Sequence, residues 1–313
     1  MDLRQLNSLL AVADHHSFSA AARALFTVQS NVSTHLQRLE RELGAVLIDR
    51  GRVQLTEEGE LVAARARRIL AELDAIPGEL AAARGDVAGE VRIGVIGTTA
   101  RWLIPLFLPA LRISHPAIRV VVVEASTTSL LPRVADGHLQ LAVVNLPDGS
   151  TDLDIDLLFD EDLLLLAPSS HPLAALPVVS VRDLADHEIL LPPIGTALRD
   201  ELDDQARRSG VRLRALAEID GGRLMASLAL EGFGAAVVPA TAVPDWLKGD
   251  FVLVPMTGLS PRRVGLVQRR RTSLSPAARA VVAELHAVVR MRAVSQTGVH
   301  VSNERTAGPC ADR

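Results

Sequence analysis

Hydrophobic positions along the chain fall into three regimes. Residues 1–57 carry short helical periodicities separated by small turns. Leu3, Leu6, Leu9, Leu10 and Val12-Ala13 place an apolar stripe on a first helix. Ser17-Phe18-Ser19 offers an N-cap for a second helix through Ala20-Ala21-Ala22-Arg23-Ala24-Leu25. Phe26-Thr27-Val28 makes a tight turn, and Thr27 is the expected cap of a third helix from Gln29 to Leu43. There Val32, Leu36, Leu39 and Leu43 recur at i, i+4, i+7 and i+11, forming one inward face. Gln29, Ser30, Ser33, Thr34, His35 and Arg38 occupy the other. Two short helices joined by a tight turn, the second with a polar outer face, describe a helix-turn-helix. Val46-Leu47-Ile48 and Val53-Gln54-Leu55 then flank Asp49-Arg50-Gly51-Arg52, a two-stranded wing with Gly51 expected at positive φ.

A second regime, residues 58–88, reads as one long helix entered through Thr56-Glu57-Glu58. Val62, Ala66, Ile69, Leu73, Ile76 and Leu80 are spaced 4, 3, 4, 3, 4, a heptad seam that calls for a second helix. The alternative is a plain amphipathic helix packed on its own domain. Pro77 removes one helical donor, so a bend or an end of the regular helix is expected near residues 74–78.

From Gly89 to Arg292 β-rich runs alternate with helical patterns, which predicts an α/β domain. Gly89–Ile96, Ile118–Glu124 and Leu141–Asn145 are strand-like, and each ends at hydroxyl or amide side chains. Asp162–Ala167 continues as a strand, and Pro168-Ser169-Ser170-His171-Pro172 suits a domain crossing. Val264-Gly265-Leu266-Val267 returns the chain, and Pro276–Arg292 forms a closing helix. The result is two lobes with a cleft, lobe I about 89–167 plus 265–292 and lobe II about 168–264. Ligands of open α/β sheets bind beyond the carboxyl ends of strands, where helix N-termini present free N–H groups. Thr98, Thr99, Ser126, Thr128, Asn145 and Thr196 are therefore candidates for a small anionic effector, or each hydroxyl simply caps its own helix. Arg101 and Arg223 are candidate charge partners, or surface ion pairs. Residues 293–313 have no sustained period and are expected to be disordered.

Composition changes the picture in a few places. With 33 Lys+Arg against 37 Asp+Glu, bulk charge does not advertise nucleic acid. Even residues 1–60 hold six arginines against eight acids, so any phosphate contact depends on local placement of Arg38, Arg50 and Arg52. Ser33, Thr34 and Gln29 can hydrogen-bond base edges, while His35 suits DNA contact or plain surface equally. The one cysteine, Cys310, excludes an intrachain disulfide and a Cys-rich metal site. No metal site or cofactor is expected, nor a catalytic centre: Gly232-Phe233-Gly234 lacks a third glycine, and neither G-x-S-x-G nor a Walker loop occurs. The start lacks a secretory signal, and no apolar run approaches the roughly 18–20 residues that span a bilayer, so a cytoplasmic location is expected.

Several stretches together resemble the LysR-type transcriptional regulators: Phe18-Ser19-Ala20-Ala21-Ala22, Gln29 through Val32-Ser33 to Leu39-Glu40, Leu43-Gly44, Arg50, Leu55-Thr56-Glu57-Glu58-Gly59 and Gly232–Pro239. The resemblance spans residues 1–292 and departs at Ser30, where proline is usual. It departs again at Thr34 for arginine, Ile48 for phenylalanine, Gln140 for aspartate, and at Pro77 in the linker. It implies a winged helix-turn-helix, a dimerising linker helix and a two-lobed α/β domain resembling periplasmic binding proteins. It further implies homodimers or homotetramers on a double-stranded DNA operator, a small-molecule effector between the lobes, and RNA polymerase as a possible contact. A two-lobed binding or transport protein, and then an enzyme, are the alternatives.

Overall fold

The computed structural model describes residues 1–82, 87–146, 153–270 and 273–301. Three helices open the chain: α1 (Leu3–His15), α2 (Phe18–Ala24) and α3 (Gln29–Leu43). α1 begins with a capping box, in which Asp2 accepts the Gln5 N–H at 2.9 Å and Gln5 Oε1 accepts the Asp2 N–H at 2.8 Å. Ser17 caps α2, accepting the Ala20 N–H at 3.2 Å. The cap of α3 falls one residue later than expected, on Val28, which has no side-chain oxygen to offer. Phe26 at φ 52° turns the chain early, and the Thr27 hydroxyl instead accepts the Asn31 amide at 2.9 Å.

The wing is short, β1 (Ile48–Asp49) paired antiparallel with β2 (Gln54–Leu55). Its turn is built by Asp49, whose Oδ1 accepts the Gly51 N–H at 2.8 Å and the Arg52 N–H at 3.3 Å. The positive φ therefore sits at Val53, not at Gly51 as expected. α4 (Glu57–Ala82) follows. Thr56 holds its start, accepting the Gly59 N–H at 3.0 Å while donating to the Val46 carbonyl at 2.6 Å.

The periodic seam of α4 divides into two parts. Ala66, 1% exposed, is buried in the N-terminal core with Leu9, Leu36, Leu39 and Leu47, and half-buried Val62 packs against it. Ile69, Leu73, Ile76 and Leu80 remain exposed. Val62 and Ala66 are thus corrected from dimer-seam to core positions, because the three-helix bundle needs a fourth wall and α4 supplies its first turns. Pro77 does not end the helix, which runs on to Ala82.

The remaining chain builds two six-stranded sheets. The first contains β3 (Gly89–Val95), β4 (Ile118–Glu124), β5 (Leu141–Asn145) and β6 (Leu153–Glu161), with α5 (Gly97–Ser114) and α6 (Thr127–Ala135) between strands. The second sheet takes β7 (Leu163–Pro168), β8 (Val179–Ser180), β9 (Glu188–Leu191), β10 (Arg214–Glu218), β11 (Ala235–Pro239) and β12 (Phe251–Thr257), with α7 (Ala197–Arg208) and α8 (Gly222–Leu230). β13 (Arg262–Arg269), α9 (Pro276–Ala293) and β14 (Val299–His300) return to the first lobe. Its strand order is β14-β6-β13-β5-β3-β4, with β3 parallel to both β4 and β5.

The first crossing lies at Asp162, between β6 and β7, not at Pro168–Pro172 as expected. β6 carries exposed Asp154 and Asp156 in its first half, a pattern unlike that of a buried strand, which is why the local sequence does not mark it. The segment after α9 also differs from expectation. Gln296 is 4% exposed and β14 pairs with β6, so order extends to residue 301; residues 302–313 lie outside the described residues.

Gly59 is where α4 meets the wing backbone, since a Cβ there would stand 2.0 Å from the Leu47 carbonyl oxygen. Gly59→Ala is expected to destabilise the N-terminal module by about 1–3 kcal/mol, the usual cost of overpacking. Urea denaturation of the variant beside wild type measures this; an unchanged midpoint would refute the close approach.

Candidate nucleic-acid interface and interlobe site

α3 sorts its residues as the periodicity required except at Leu43, expected inside but exposed in the last turn. Val32, Leu36 and Leu39 are fully buried, whereas Gln29, Ser30, Thr34 and Arg38 are exposed and Ser33 is half-buried. Gln29 is braced, its Oε1 accepting the Ser19 hydroxyl at 2.9 Å, which leaves its amide N–H groups outward-capable. His35 turns toward α1, with Nδ1 3.0 Å from Ser8 Oγ, and thereby buttresses the bundle. Arg50 is also engaged: its Nη2 donates to Glu40 Oε2 at 3.0 Å, while Glu40 Oε1 accepts the Leu47 and Ile48 N–H groups at 3.0 and 3.3 Å. Among the described residues, Arg38 of α3 and Arg52 of the wing are exposed and enter no ion pair, so both guanidinium groups are available, as is that of Arg41 near the end of α3. Exposed Asn31 and Gln37 extend this polar face.

The second site forms where the lobes meet. The N-terminus of α5 opposes that of α8, close enough that a Cβ on Gly222 would lie 3.3 Å from Thr98 Cγ2 and one on Gly97 3.5 Å from Arg223 Cβ. Two positive helix ends therefore face each other across the cleft. Thr99 is fully buried, and its Oγ1, together with Asn145 Oδ1 and Arg101 Nη1, has no hydrogen-bond partner among the described residues. Burial, and secondarily the like charge of Arg223, pulls the Arg101 guanidinium below its usual range. Arg223 is itself paired with Glu124. Ser126 caps α6 and bonds the Thr128 hydroxyl at 2.9 Å, so these two serve as helix-start residues. Thr127 joins them, accepting the Asn145 N–H at 3.2 Å. Thr196 turns its hydroxyl back to the Pro193 carbonyl at 2.9 Å, in a second-lobe loop without a bond to this cluster.

A buried network ties the cleft to the crossings. Glu161, fully buried, accepts the Thr241 N–H at 3.0 Å and its hydroxyl at 2.7 Å. It also accepts Arg262 Nε at 2.8 Å, and Arg262 Nη2 reaches Thr98 Oγ1 at 2.9 Å. The C-terminal segment straps the same region. Gln296 donates to the Ala240 and Val243 carbonyls at 3.0 and 3.1 Å and accepts the Asp245 N–H at 2.9 Å.

Family models match both parts of the chain: the bacterial regulatory helix-turn-helix protein of the lysR family at residues 3–60, and the LysR substrate binding domain at 84–290. This chain belongs to the LysR family of DNA-binding transcriptional regulators. It is 31% identical to the DNA-binding transcriptional dual regulator OxyR of Escherichia coli K12, over 86% of this chain and 90% of that protein. It is 33% identical to a probable hydrogen peroxide-inducible genes activator of Mycobacterium avium, over 84% and 86%. A full-length cysteine variant of Pseudomonas aeruginosa OxyR superposes with a TM-score of 0.76 at 25% identity, covering 97% and 99% of the two chains. CbnR complexed with its target DNA shares the fold at TM-score 0.65, with 24% identity and 92% and 100% coverage. These relatives are regulators rather than enzymes or transporters. No helix among the described residues is long and apolar enough to cross a membrane.

Within this LysR-family chain, sequence reasoning missed Arg262, Glu161 and Thr241. Their contacts join residues up to 164 positions apart, and no local pattern carries such information. Arg262→Gln is expected to destabilise the effector-binding domain by about 3–5 kcal/mol, because it strands a buried carboxylate. Adding Glu161→Gln should recover much of the loss. Urea denaturation of both variants provides the check, and equal stability of wild type and Arg262→Gln would refute the network.

Proposed function

We propose that the chain binds duplex DNA through the exposed face of α3 with Arg52 of the wing. We further assign its control to a small anion carrying a hydroxyl or amine, seated between α5 and α8. The carrying observation is the pair of opposed helix N-termini, supported by buried polar atoms without a partner: Thr99 Oγ1 in the first turn of α5, Arg101 Nη1, which feels the Arg223 charge, and Asn145 Oδ1 at the end of β5. A guanidinium and helix ends favour negative charge, while the Asn145 oxygen, an acceptor only, asks for a donor. Hydrogen peroxide names the response of several relatives, and one solved OxyR cysteine variant from Corynebacterium glutamicum has H2O2 bound. The present chain has one cysteine, Cys310, so two thiols cannot join within it and sensing is assigned to reversible binding.

Helix α6 supports a route for the signal. Its N-terminus carries Ser126 and Thr127 at the cleft, and its C-terminus meets the linker, where Arg68 Nη2 donates to the Ala135 carbonyl at 3.4 Å. Arg67, paired with Asp14 of α1 at 2.8 Å, packs beside Gly137. Ligand-driven tilt of α6 thus moves the arm that carries α3. Exposed Ile69, Leu73, Ile76 and Leu80 of α4 are assigned to a second copy, giving the homodimer from which a tetramer is built.

Replacing Arg38 or Arg52 with alanine is expected to weaken binding about equally on all duplexes and to lower the salt slope by about one each. Fluorescence anisotropy across a salt series reads this, and an unchanged slope would remove the residue from the interface. A thermal-shift screen of hydroxy- and amino-carboxylates tests the cleft: hits on wild type should vanish in Asn145→Leu, and hits that persist would locate binding elsewhere.

The linker contact predicts a pH dependence. Burial, followed by the Arg67 charge, holds His138 below the ordinary histidine range. The unfolded chain therefore takes up this proton more readily than the folded one. Its cost to stability is absent at high pH and grows as pH falls through about 6.5. The Tm of wild type should drop more than that of His138→Gln between pH 7.5 and 5.5; parallel curves would show that His138 is not the sensing group.

A further inference from the structure

Two apolar side chains at the start of α3 have no role in the fold. Val28 is the N-cap, a position where valine is among the poorest choices and serine, threonine, asparagine or aspartate would hold the free N–H groups. It makes no capping bond and is 59% exposed. Phe26, two residues earlier, is 98% exposed and sits at φ 52°, a region uncommon for a bulky residue. Neither belongs to the N-terminal core, which takes Phe18 and Leu25 from the same stretch. The molecule thus gives up a helix cap and exposes an aromatic ring in the three residues that lead into Gln29. That stretch is continuous with the polar face of α3.

We propose that Val28, flanked by Phe26, reads thymine methyl groups in the major groove. In helix-turn-helix proteins the N-terminal residues of the second helix reach the base edges. The C5-methyl of thymine is the apolar group displayed there, and an aliphatic or aromatic side chain is its natural complement. A serine at this position would cap the helix and leave the methyl unread. Gln29 then supplies the adjacent hydrogen-bonding contact, so a hydrogen-bonded base and a neighbouring thymine are read together. The inference rests on the placement of α3 in the groove proposed above.

Duplexes enriched by the full-length protein from a randomised pool supply the probe. In copies of an enriched duplex, each thymine is replaced singly by deoxyuridine, which pairs identically but lacks the methyl. Wild type is expected to lose about three- to fivefold in affinity at one thymine per half-site, the effect of one buried methyl. Val28→Ser, which restores a capping hydroxyl and so keeps the helix, should bind the thymine and deoxyuridine copies alike. Phe26→Ala should narrow the difference. A wild type indifferent to every replacement, or a Val28→Ser that keeps the methyl preference, would overturn the proposal. Arg38→Ala separates the two readings: if it weakens every duplex while the methyl effect is missing, α3 is in the groove and Val28 is not the reader. If no duplex is enriched, both readings fall together.

Discussion

Burial of Glu161 constrains how the two lobes of this LysR-family protein can meet. A carboxylate with no exposure is tolerated only where cations and donors surround it, and here they come from both sides of the crossing. Arg262 approaches from the return strand, Thr241 from the second lobe, and Thr98 completes the chain from the N-terminus of α5. Because Thr98 belongs to the cleft and Thr241 to the opposite lobe, the network sets their separation. Gln296 and the Asp162–Gly298 backbone bond at 2.7 Å brace the same junction from outside. The lobes are therefore hinged at a polar, fully bonded axis, with apolar clusters on either side of it.

The linker helix shows a similar economy of contacts. Its first turns bury Ala63 and Ala66 in the N-terminal core, where small side chains let α4 close on α1 and the wing. Beyond Ala66 the same periodicity faces outward, and the arginines between the apolar positions reach Asp14 and the end of α6. One element thus belongs to the DNA-binding bundle at its start and touches the effector-binding domain further along. Cationic groups at the C-terminus of α6 also meet its negative dipole end, which favours this docking electrostatically.

Much of this was readable from local pattern, and the failures are informative. The spacing of Val32, Leu36 and Leu39 was sufficient to orient α3, since a helix of fixed pitch puts those positions on one face whatever surrounds it. Ser17 likewise acts on a donor three residues away. Thr27 failed as a cap because a helix that begins at Gln29 has Val28 as its N-cap, which leaves Thr27 one residue too early to meet the free N–H groups. His35 and Arg50 stand on α3 and the wing as expected, but their bonding to Ser8 and Glu40 depends on neighbours from other elements, and it turns His35 toward α1.

The amino-acid sequence by itself determined the helix-turn-helix, the wing, the α4 periodicity and the alternating α/β order, because each is written in repeats of two to seven residues. Only the tertiary structure decided which face of α4 lies inside, where the chain crosses between lobes, and that Arg262 answers Glu161 across 101 positions. Those outcomes depend on which buried charge finds which counter-charge once distant segments pack, and local periodicity cannot encode that choice.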